Sequence, residues 1–246
     1  MSYVGKQYDT NEGYIATVVE YINCTNVYVR FDNNPPIRAT MGNLRKGKVK
    51  NPYHPSVCSL GYIGVGEYKT TKKGSKTKAY QTWKDMLRRC SDRMGNPTYA
   101  DCLVCEEWHN FQNFAKWHED NHYEIEGEQM HLDKDILVKG NKIYSPETCI
   151  FVPRLLNELF VKKNANRGDL PIGVSFSKGK YLAKCSNPFQ KNNQVSLGYY
   201  DTAEEAFDSY KKYKEGIIKE MAYRYKDKVP QRLFEALLHY KVEIVD

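Results

Sequence analysis

The chain has 246 residues, 41% of them hydrophobic, enough apolar material for packed cores, which excludes global disorder. No apolar run approaches the roughly 20 residues that a membrane span needs, and the opening MSYVGKQYDT lacks a signal-peptide core. Net charge is +7, and seven irregularly spaced cysteines, an odd number, point to a reducing cytoplasm rather than a disulfide scaffold.

The charge is unevenly spread. Residues 1–78 carry 12 basic and 5 acidic side chains, residues 79–133 carry 5 and 11, and residues 162–194 carry 7 basic groups against Asp169 alone. Basic segments suit phosphate backbones, whereas an acidic centre suits a divalent cation or a solvated helix face. Tyr outnumbers Phe by 20 to 9, which fits surfaces that are partly buried and partly wet.

In chain order, YIATVVEYI and NVYVRFD are β-branched and aromatic runs separated by NCTN, so residues 1–66 read as a small barrel-like β module. The stretch YKTTKKGSKTK has five lysines and no acid, and reads as a basic linker or arm over 67–78. Tyr80, Trp83, Met86, Leu87 and Cys90 then fall at helical spacing, with Arg88 and Arg89 near the helix end. A second helix is predicted through CEEWHNFQNFAKWHEDN, with its aromatics as core. QMHLDKDIL alternates as a strand, VKGNKIYSPET turns, CIFVP returns, and RLLNELF is a short helix. Three short strands follow in PIGVSFSKG, KYLAKCSNP and NNQVSLGYYD. Thr202 and Glu205 form a predicted capping box on the next helix, and a last helix covers PQRLFEALLHY.

Two resemblances emerge from these segments. GV at 173–174, GKYLAK at 179–184, LGYYDTAEEA at 197–206 and Tyr210 resemble the Apetala-type DNA-binding domain of plant ethylene-response factors and phage endonucleases. WKDMLRRC, VCEEWHNFQNFAKW, LDKDI and YSPETCIFVP resemble the phage HNH-type, or His-Me finger, proteins of homing-endonuclease character. The N-terminal strands are similar to an extra module that some phage members carry. The implied fold class is α+β. It comprises the β module at 1–66, the linker at 67–78, an HNH-like ββα domain at 79–165, and an Apetala-type domain with C-terminal helices at 166–246. In that last domain a three-stranded sheet packs on a helix.

The HNH resemblance implies Asp-His on the first strand, but this chain has Asp133-Lys134, so lysine stands where the family's base would be. The middle Asn of the motif falls near Thr148, and Asn157 on the helix keeps a matching position. Strand alternation places His131, Asp133 and Asp135 on one face with Lys134 opposite, so that the two carboxylates share Mg²⁺ or Mn²⁺ and His131 accepts a proton. The catalytic set is thus His131, Asp133, Lys134 and Asn157, and the metal set Asp133 and Asp135. Cys102, Cys105 and His109, with Cys90 or Cys149, have a zinc-like spacing, but only one clear ligand pair is visible and structural zinc is not expected.

Duplex DNA is the expected partner. The Apetala-type match implies groove-facing Ser175, Ser177, Lys184, Ser186, Gln194 and Ser196, with Lys178, Lys180 and Lys191 as phosphate contacts. Lys72, Lys73, Lys76, Arg88 and Arg89 extend the set to the arm and first helix. The expected function is site-specific, metal-dependent DNA cleavage by a phage-encoded protein in the bacterial cytoplasm. The alternative is an inactive DNA-binding regulator, or a phage factor acting on a host target.

Overall fold

A computed structural model describes residues 2–91, 99, 101–160, 170–190 and 193–244. The protein has a mixed α/β fold with six α-helices and several small sheets among the described residues. The chain forms two compact units, Met1–Asn121 with Lys142–Pro146, and His122–Asn141 with Glu147–Asp246. No helix among the described residues is long and apolar enough to cross a membrane.

The first unit begins with four antiparallel strands in sequence order: β1 (Gln7–Asp9), β2 (Ile15–Asn23), β3 (Asn26–Arg30) and β4 (Ile37–Ala39). Alternation buries Ala16, Val18, Val27 and Val29 against Phe31 and helix α1 (Met41–Arg45). The sheet is open: β1 and β4 are its edges, and no sheet among the described residues closes into a barrel.

The segment expected as a tether contains a hairpin, β5 (Thr71–Lys72) and β6 (Ser75–Lys76). Its two-residue turn, Lys73-Gly74, has both residues at positive φ, the geometry that matches strand twist. Helix α2 (Lys78–Ser91) buries Trp83, Met86, Leu87 and Cys90. Strand β7 (Leu103–Val104) and a 3-10 turn at Glu106–His109 precede α3 (Phe111–Asn121), so the predicted second helix is split at Asn110. There the Asn110 side chain accepts from the Gln112 amide, ending one helical run and starting the next. The Trp83 indole donates to the Trp108 carbonyl at 2.7 Å, and Gln112 ties residues 63–68 to α3 through three hydrogen bonds. The chain then passes through β8 (Met130–Asp133) of the second unit and returns as β9 (Ile143–Tyr144), which pairs in parallel with β7.

In the second unit β8 pairs antiparallel with β10 (Ile150–Pro153), and α4 (Arg154–Glu158) follows directly. β11 (Val174–Ser177), β12 (Lys180–Ser186) and β13 (Gln194–Tyr200) form an antiparallel sheet backed by the 23-residue α5 (Ala203–Tyr225), and α6 (Gln231–His239) packs on α5. One core unites Ile150, Val152 and Leu156 of the hairpin and α4 with Val174, Ala183, Cys185, Ala206, Ile218 and Leu233. Both bonds of the Thr202–Glu205 capping box are formed, worth about 1 kcal/mol. Gly173, at φ +78°, lets the chain lie against the Tyr210 ring, where a Cβ would sit 2.1 Å from a ring carbon.

Candidate nucleic-acid interface and hydrolytic centre

Pairing register fixes which side chains share a face of the C-terminal sheet. Val174 lies opposite Ala183, and both enter the core with Cys185, so their strand neighbours point the other way. Ser175 faces outward opposite Leu182, and Ser177 opposite Lys180. A bulge between Ala183 and Lys184 resets the register, and Lys184 then pairs with Ser196 and Ser186 with Gln194. All six predicted groove-facing residues therefore stand on one face, five of them exposed and Ser177 half-buried. The same register adds a cross-strand pair that sequence reasoning missed, Leu182 with Tyr199. Tyr199 is exposed, and strand alternation alone had no means of counting across the bulge.

The lysines differ in availability. Lys178 and Gly179 occupy the β11–β12 turn with both φ positive, projecting an exposed amine from the sheet edge. Lys178 and Lys184 have no side-chain partner among the described residues, and neither have Lys72, Lys73 and Lys76 of the β5–β6 hairpin. Lys180, in contrast, pairs with Asp201 at 2.8 Å, which pushes its pKa up. Arg88 pairs with Asp85 at 3.0 Å. Arg89 stands 5.7 Å from the Tyr99 ring centre and hydrogen-bonds Tyr144, so it serves packing in the first unit rather than an open cationic surface. Lys191 lies outside the described residues.

At the hairpin, His131 and Asp133 share one face of β8, with buried Leu132 between them on the other. The Asn157 side-chain amide, presented by α4, sits 3.4 Å from Nδ1 of His131. Tyr123 fixes β10 from the preceding segment by donating to the Phe151 carbonyl at 2.8 Å, and burial pushes its phenol pKa up.

The alternation does not continue to Asp135. Oδ1 of Asp133 accepts from the amides of Asp135 and Ile136 at 2.9 and 2.7 Å, which bends the chain and ends the strand. Lys134, expected opposite His131, Asp133 and Asp135 on a continuing strand, lies just past the end of β8. It is 7% exposed, and its amine lies 3.3 Å from Asp135 Oδ2. Asn141 closes the loop by donating to the Lys134 carbonyl at 2.7 Å. The structure thus brings His131 and Asn157 together, keeps Asp133 on the His131 face, and occupies Asp135 with Lys134.

Burial, with the charge of Asp135 second, pushes the Asp133 carboxyl up to about 6, against the downward pull of its two amide bonds and Lys134. Among the described residues no three His, Cys, Asp or Glu side chains converge as a metal group. Asp133 and Asp135 stand near enough for the charge of Asp135 to raise the Asp133 pKa, while the Lys134 amine lies 3.3 Å from Asp135. The donors at the hairpin are these two carboxylates, the imidazole of His131 and the amide of Asn157. That set fits Mg²⁺ or Mn²⁺, which take one or two carboxylates and complete their shells with water and substrate phosphate. Of the zinc-spaced residues, His109 Nε2 lies 3.2 Å from the Val104 carbonyl, Cys90, Cys102 and Cys149 are buried, and Cys105 is half-buried. Comparison with known protein families, with characterised proteins and with solved structures finds no match to this chain.

Proposed function

We propose that this protein binds duplex DNA through the outer face of its C-terminal sheet and cleaves it with the 130–157 hairpin, in the manner of a phage HNH-type endonuclease. The observation that carries the reading is the single exposed face holding Ser175, Lys184, Ser186, Gln194 and Ser196, edged by unpartnered Lys178. Short hydroxyl and amide side chains reach base edges, and the lysines hold phosphates.

In the cleavage step His131 takes the proton from water, and the Asn157 amide beside Nδ1 orients its ring. Asp133 and Asp135, with Asn157, would hold a hard cation, which would supply charge stabilisation at the leaving oxygen. Lys134 takes no proton: its amine stays on Asp135 and moderates the negative charge around Asp133. A second reading, DNA binding without cleavage, draws on the same lysine, because an ammonium on Asp135 stands where a two-carboxylate site would place its metal.

Supercoiled plasmid incubated with the protein in Mg²⁺ or Mn²⁺, with EDTA as control, separates the two. Metal-dependent relaxation or linearisation, lost in Asp133→Ala with duplex binding retained, is the expected result. Binding with no conversion in either metal refutes cleavage and leaves the second reading.

A further inference from the structure

The N-terminal sheet has an outer face that the C-terminal reading does not use. Val27 and Val29 of β3 enter the core, so Tyr28 and Arg30 point away from it. Tyr28 lies opposite Arg38 of β4, and Arg30 opposite Thr17 of β2, which in turn is opposite Gln7 of β1. Arg30 and Arg38 are therefore diagonal neighbours flanking Tyr28, with Cβ atoms about 7–8 Å apart. Both arginines are exposed, and neither has an ion pair or hydrogen bond among the described residues. Glu20 on β2, opposite Tyr28, and Asp9 on β1, opposite Ile15, are acids of this face.

An exposed arginine without a carboxylate partner leaves its guanidinium open to an external anion, since a surface ion pair would add only about 0–1 kcal/mol to folding. Its planar fork matches phosphate oxygens two at a time, and a tyrosine between two such forks offers a flat surface to the sugar. Residues 1–78 carry 12 basic against 5 acidic side chains, a net charge of the sign that attracts a polyanion. We infer that this outer face is a second, sequence-independent DNA-binding surface, in which Arg30 and Arg38 grip phosphates of a duplex beside Tyr28. It is separate from the C-terminal sheet and does not rest on cleavage.

The test is fluorescence anisotropy of the full chain on a labelled 40-bp duplex across a KCl series, with single-stranded RNA of equal length as second probe. Arg30→Ala/Arg38→Ala is compared in the wild-type and in a Lys178→Ala/Lys184→Ala background, with melting curves as a check on folding. Loss of two phosphate contacts is expected to reduce the slope of log K on log salt by about 1.8 in both backgrounds. Arg30→Lys/Arg38→Lys keeps the charge, so the slope is retained while affinity falls a few-fold. An unchanged duplex slope in the double alanine variant overturns the inference and leaves the C-terminal reading standing. A defect confined to single-stranded RNA also overturns it, by assigning the face to a different polymer. If the Lys178/Lys184 changes alone leave the slope intact while the arginine changes flatten it, the C-terminal reading falls and this one holds.

Discussion

The C-terminal sheet and the β8–β10 pair are both antiparallel and both belong to the second unit, yet the polar groups around them are used in opposite ways. On the sheet the outward lysines Lys178 and Lys184 have no side-chain partner among the described residues, and the serines are short and exposed. At the end of β8 the polar side chains are committed: Asp133 to two amides, Lys134 to Asp135, His131 to contact with Asn157. Uncommitted cations serve long-range attraction to a polyanion, where position matters little. Chemistry at one bond needs groups held to a fraction of an ångström, which is what the proposed cleavage would ask of the hairpin.

The contrast breaks most completely where the sheet loses its backing. Gly173→Ala has to place a Cβ inside the Tyr210 ring at a left-handed φ, which costs about 2–5 kcal/mol through backbone strain and overpacking. Thermal melting is expected to fall steeply, and duplex binding to fall with it.

The hairpin's side of the contrast is sharpened by Asp133→Asn, which keeps an oxygen for the two amides and removes the charge. The folded carboxyl is raised above its ordinary 3.8 to about 6, so ionisation costs stability. The wild type therefore loses stability as pH rises from about 4 to about 6, carries the full penalty above that, and has none below about 4. A full shift is worth about 3 kcal/mol, which solvent at a half-buried carboxyl reduces to about 1–2. Melting curves at pH 7.5 should show the Asn variant more stable by that amount, with the gap closing near pH 4. An identical pH dependence in both proteins contradicts this account of Asp133.

Lys134→Ala tests the internal cation. Removing the buried amine leaves Asp135 without this partner and costs about 1–2 kcal/mol. It also raises the proton affinity of Asp133, so the rising limb of a pH profile of plasmid nicking should move upward. A profile that stays in place would return Lys134 to a packing role.

Much of this architecture was legible in the chain. The α5 capping box, the apolar stripe of α2 and the three C-terminal strands follow from local rules that packing reinforces. The six residues predicted to share a face of the C-terminal sheet do so because paired neighbours on β12 hold the alternation, although the bulge at Ala183 hid Tyr199 from it. Alternation failed past Asp133 because a side chain captured two backbone amides, a contest that periodicity does not register. The β5–β6 hairpin was hidden by its lysines, which read as a tether, although Lys73-Gly74 had the turn chemistry. The hydrogen bond of Arg89 to Tyr144 spans more than fifty residues of sequence and had no local signal.

A smaller effect separates the lysines of the sheet. Lys180 is held by Asp201, so Lys180→Ala should change the salt slope of duplex binding by well under the 0.9 or so of a full phosphate contact. A drop as large as that from Lys184→Ala would mean that the ion pair opens on DNA.

The most direct test of the central claim is the salt dependence of duplex binding for wild type and Lys178→Ala/Lys184→Ala at equal protein folding. DNA gripped by the C-terminal sheet predicts a steep log–log slope for the wild type, flattened by about 1.8 in the variant. A wild type that does not bind duplex at 50 mM KCl, or a variant whose slope is unchanged, contradicts it.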